Sequence, residues 1–161
     1  MSKCLQFELW RECNCRCTFC TLGKTNLYTP DKLKIEALDT AIEELKNIKK
    51  DEHEVVGFIG GEFFQGQLNT LEIKEKFFEL IKITNDLLNK EYIKNIWLNV
   101  SLLIGKQQDL YDTLKIIDKK DKLWLLTSYD TLGRFHTSKM FETWEYHLKK
   151  HIIYIQKLIL I

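Results

Sequence analysis

Glu54-Val-Val-Gly-Phe-Ile-Gly-Gly-Glu62 decides the fold. The apolar run is too short for a helix and closes on a glycine pair, so it predicts a buried strand that enters a tight turn. Helical spacing flanks it on both sides. Upstream, Ile35, Leu38, Ile42, Leu45 and Ile48 recur on one helix face, with Thr29-Pro30 as cap and first helical residue. Downstream, Ile73, Phe77, Leu80, Ile81, Leu87 and Leu88 form the apolar side of a second helix.

The pattern extends in both directions. Leu5 to Trp10 alternates like a first strand and runs into a cysteine-rich loop. Ile96 to Ile104 reads as a strand, and Gln107 to Lys119 as a helix with Leu110, Leu114 and Ile117 in its stripe. Leu123 to Ser128 reads as a fourth strand, and Ser138 to Lys150 as a fourth helix on Met140, Phe141, Trp144 and Leu148. The tail from His151 to Ile161 suits a fifth strand or an extension of that helix. Regular alternation predicts an α/β protein of right-handed βαβ units around a parallel sheet, either doubly wound or part of a barrel. In both cases chemistry gathers at the C-terminal strand ends. The cysteine loop, Gly60-Gly61-Glu62, Asn99 with Ser101, and Ser128-Tyr-Asp130 would share that rim.

A length of 161 residues fits one domain. Charge is nearly balanced, 24 basic against 23 acidic side chains, so bulk charge supports no nucleic-acid or membrane-surface partner. Proline occurs once, which argues against disordered linkers. All five cysteines, Cys4, Cys13, Cys15, Cys17 and Cys20, fall in the first 20 residues, whereas a disulfide framework would spread them out. A reducing compartment is expected, and with no signal-peptide pattern and no spanning apolar stretch the expectation is cytoplasmic.

Cys13, Cys17 and Cys20 follow the spacing C-x3-C-x2-C, unlike the two separated C-x2-C pairs of a common zinc site. Soft thiolates in a compact loop suit an iron-sulfur cluster, and three of them on a cubane leave one iron open. The histidines His53, His136, His147 and His151 show no ligand spacing, and the four tryptophans are expected in the core between sheet and helices. Cys4 is expected as a strand or core thiol, and Cys15 as a thiol that is not a ligand.

The cysteine motif with Phe19 before its last cysteine, followed after strand two by Phe58-Ile-Gly-Gly-Glu62, resembles the radical S-adenosylmethionine enzymes over about residues 5 to 145. Ser128-Tyr-Asp130 is similar to the Ser-x-Asp element many members carry after strand four. The resemblance implies a [4Fe-4S] cluster on Cys13, Cys17 and Cys20, with S-adenosylmethionine chelating the fourth iron. It assigns Gly60, Gly61 and Glu62 to the methionyl amine, Phe19 to packing near the adenine, and Ser128 with Asp130 to the ribose hydroxyls or nearby polar groups. The implied activity is reductive cleavage to a 5′-deoxyadenosyl radical that abstracts hydrogen from a substrate the resemblance does not identify; the combination of motifs resembles peptide- or protein-modifying members, with nucleotide-derivative chemistry and activation of a glycyl-radical enzyme as alternatives. It also implies an electron donor of the flavodoxin or ferredoxin kind. The competing reading is an inert iron-sulfur or zinc-binding fragment. The family usually has a partial barrel of six βα units. Four are legible here, so the domain is expected to be incomplete at its C-terminus.

Overall fold

The computed structural model describes residues 3–15, 17–20, 28–103, 107–127, 135, 137–152 and 157–160. Five parallel strands, β1 (Cys4–Glu8), β2 (Val55–Ile59), β3 (Asn95–Asn99), β4 (Leu123–Thr127) and β5 (Lys157–Leu160), pair in chain order. Helices α1 (Asp31–Lys46), α2 (Leu71–Asn89), α3 (Gln108–Ile116) and α4 (Ser138–Ile152) connect them. The order never reverses, so the sheet has no switch point and is not doubly wound. With right-handed crossovers, an unreversed order places every helix on one face.

The core agrees with that geometry. Register aligns Leu5, Val56, Ile96 and Leu123 in one row, and Phe7, Phe58, Leu98 and Leu125 in another. Both rows pack against α1 to α4 in a single cluster that includes Leu38, Leu45, Phe77, Leu80, Leu110 and Trp144. Residues of the opposite parity stay out of that cluster, even the buried Val55 and Leu126.

That parity corrects the expectation for two tryptophans. Trp10 and Trp144 belong to the core, but Trp97 and Trp124 pair in register beside Gly57 on the face away from the helices and are only half-buried. Cys4 lies in β1 and is exposed, so it is no core thiol.

Local chemistry explains the helix boundaries. Thr70 caps α2, its side chain accepting from Ile73 N at 3.2 Å, and Thr137 Oγ1 accepts from Met140 N at the start of α4. Helix α1 begins at Asp31, one residue later than expected, with Pro30 as an N-cap that makes no side-chain bond. Helix α3 is shorter than expected because Ile117 is already extended, yet Ile117 remains buried.

Strand β3 ends at Asn99, well before the expected Ile104. One further ladder bond, Val100 N to Leu126 O at 2.9 Å, follows it. The chain then turns away: Ser101 N donates to the Glu62 carboxylate and Leu102 takes a positive φ of 59°. The tail forms β5 beside β4. Among the described residues no helix is long and apolar enough to cross a membrane.

Candidate functional site

The C-terminal ends of β1, β2 and β3 meet around a cavity of about 90 Å³. It is lined by Cys13, Cys15, Cys17, Phe19 and Cys20, by Gly60, Gly61 and Glu62, and by Asn99, Val100 and Ser101. The structure thus brings together the cysteine loop, the glycine turn and the end of strand three. Ser128 and Asp130 lie outside the described residues.

The loop is seated by continuing the β1–β2 pairing beyond the strands. Gly61 N donates to Trp10 O and Glu62 N to Glu12 O, both at 2.9 Å. Trp10 Nε1 returns a bond to Glu62 O at 2.9 Å. The glycine pair makes this approach possible. Gly60 has φ +143°, and a Cβ there would stand 2.2 Å from Trp10 O. One on Gly61 would stand 2.0 Å from Glu12 O. Beneath the turn, Trp10 meets Phe63 edge-on at 5.2 Å, and Phe63 and Phe64 pack on Phe77 of α2 at 5.8 and 5.9 Å.

Glu62 is 2% exposed, and its carboxylate joins two loops. Oε1 accepts from Phe63 N and Phe64 N at 2.9 and 3.0 Å, and Oε2 from Ser101 N at 2.7 Å. Burial pushes its pKa up, the hydrogen bonds from Ser101, Phe64 and Phe63 pull it back, and the neighbouring Cys15 charge raises it further. A carboxylate has about four acceptor sites, so by count one remains for a ligand cation.

The thiols are crowded. Cys15 is buried, its amide donates to Cys13 Sγ at 3.4 Å, and its sulfur accepts from Gln65 Nε2 at 3.3 Å. Gln65 Nε2 also donates to Ser101 Oγ. Hydrogen bonds with Cys13 and then Cys17 draw the Cys15 thiol far below the ordinary thiol range, and the same contact with Cys15 pushes Cys13 up. Cys17 is buried, Cys20 is half-buried with its amide on Cys17 O at 3.1 Å, and Phe19 is 51% exposed at the cavity mouth.

Several site residues escaped the sequence reading. Lys34, Gln65 and Gln67 are all buried around the loop. Only Lys34 carried a signal, since it lies four residues before Leu38 and seven before Ala41 on the apolar face of α1.

Among the described residues, no group of three or more His, Cys, Asp or Glu side chains is arranged to hold a metal ion. Four thiols from one short loop line the cavity and, among the described residues, no imidazole does, a donor set of the kind that thiophilic metals and iron-sulfur clusters take. No protein-family model matches the chain, and no curated protein or solved structure matches it either.

Proposed function

We propose that the chain is a radical S-adenosylmethionine enzyme that holds a [4Fe-4S] cluster on Cys13, Cys17 and Cys20. The observation that carries this reading is the single cavity shared by those cysteines, Gly60 to Glu62 and Asn99 to Ser101 at the C-terminal strand ends. The unreversed parallel order supports reading the sheet as a partial (β/α) barrel. When bound, the cluster supplies one electron to the sulfonium of S-adenosylmethionine, whose cleavage gives methionine and a 5′-deoxyadenosyl radical for hydrogen abstraction.

The chain's own residues bind and orient. The three thiols are the ligands, released from their protons on binding. Cys15, whose sulfur accepts from Gln65, is not a ligand in this reading. Glu62 fixes the floor of the pocket through Phe63, Phe64 and Ser101, and its remaining acceptor site would be open to the methionyl ammonium. Phe19, exposed at the mouth, would pack near the adenine and shield it from water. A flavodoxin- or ferredoxin-type donor supplies the electron, and a peptide or protein is the substrate class.

Anaerobic reconstitution, reduction and incubation with S-adenosylmethionine should yield 5′-deoxyadenosine. Cys17→Ala should abolish it and Cys15→Ala should leave it largely intact. A bound cluster without 5′-deoxyadenosine would point to a non-catalytic iron-sulfur module, and equal loss in both variants would overturn the ligand assignment.

A further inference from the structure

Helix α1 carries a lysine where its apolar stripe calls for a hydrophobe. Lys34 is 0% exposed. Its ammonium lies 2.7 Å from Glu12 Oε2 and 3.9 Å from Asp31 Oδ1, donates to Gln67 O at 3.1 Å, and stands 5.8 Å from the centre of the Trp10 ring. A buried ion pair is a poor source of stability, since apolar residues of the same volume usually serve as well, whereas removing one partner leaves an uncompensated charge. Such a pair does give direction.

The direction here concerns the thiols. Glu12 immediately precedes Cys13, and its carbonyl accepts from Glu62 N. Gln67 lies in the β2–α2 connection, where its Oε1 accepts from Gln65 N at 2.8 Å, and Gln65 in turn holds Cys15 Sγ. One ammonium therefore joins the limb entering the cysteine loop to the segment that follows the glycine turn.

We propose that Lys34 is a positioning residue, which through Glu12 and Gln67 holds Cys13 in place against Gly60 to Glu62. It rests on the reading of the loop as a cluster site, and it concerns a residue outside both motifs. Lys34 touches no reacting group and acts only through the loop it pins.

The test compares wild type, Lys34→Met, Glu12→Gln and the double variant. In the metal-free chain, amide hydrogen exchange at Gly61 and Glu62, which donate to Trp10 O and Glu12 O, should quicken about 10-fold or more in each variant. Exchange within α2 should not change. The double variant should lose no more than Lys34→Met alone, because the two groups act as one unit. After anaerobic reconstitution the variants should bind the cluster about 10-fold more weakly, with a shifted midpoint potential and altered paramagnetic resonance of whatever cluster remains.

Unchanged exchange at Gly61 and Glu62 in Lys34→Met, or fully additive losses, would overturn the proposal. If Lys34→Met does not fold, Glu12→Gln decides by the same exchange measurement. Failure of the wild type to assemble any cluster would count against the cluster reading, while the exchange result would still decide whether Lys34 pins the loop.

Discussion

A Cβ on Gly60 would meet Trp10 O and one on Gly61 would meet Glu12 O, while one on Gly66, at φ +98°, would meet nothing within 4 Å. The three glycines therefore separate close approach from backbone conformation. Gly60→Ala should cost about 3 kcal/mol or more by urea denaturation, from the clash and the strained φ together. Gly66→Ala should cost about 1 kcal/mol, from strain alone. Equal costs would contradict the pairing of the glycine turn with the loop entry. At this scale the sequence made the cysteines and the glycine turn legible, because special residue types at fixed spacing carry their own chemistry. It showed the glycines as room for a ligand, whereas the nearest atoms that need the room belong to the chain's own Trp10 and Glu12. Gln65 and Gln67 were illegible because a buried amide is specified by its partners from distant segments, such as Cys15 and Ser101.

Helix α2 is tied to the turn before β4 by one carboxylate. Asn85 Nδ2 and Asn89 Nδ2 both donate to Asp118 Oδ2 at 2.8 Å, and Asp118 N donates to Asn85 Oδ1 at 2.9 Å. These bonds, Asn85 first, hold the exposed Asp118 carboxyl below its ordinary pKa of 3.8. A folded value below the unfolded one means that the contact contributes stability above the ordinary aspartate range and loses it as pH falls through the folded value. An NMR titration should show Asp118 ionising below an ordinary aspartate, and Asn85→Ala should move it back up. Identical curves would contradict the assignment. Elements were legible where periodicity was strong, as in α1 and α2. Strand β3 was read too long because Val100, Leu102 and Leu103 continue its apolar character, whereas the chain leaves the sheet where Ser101 N bonds to Glu62 and Leu102 takes a positive φ.

The unreversed sheet order gives the molecule two unlike faces, one under four helices and one carrying Trp97 and Trp124. Acrylamide should accordingly quench the four tryptophans in two classes, and Trp97→Phe with Trp124→Phe should remove the more accessible one; four equally protected indoles would contradict the one-sided packing. Periodicity alone left a doubly wound sheet and part of a barrel equally open, because strand order is set by tertiary pairing. The same order brings the ends of β1, β2 and β3 side by side, and the proposed function depends on that juxtaposition. The most direct test is the electron paramagnetic resonance spectrum of the reduced, anaerobically reconstituted chain before and after addition of S-adenosylmethionine. A [4Fe-4S] signal whose shape changes on addition is expected, as for a cofactor on an iron that no cysteine holds. A chain that assembles no such cluster, or one whose signal is unaltered by S-adenosylmethionine, would contradict the proposed function.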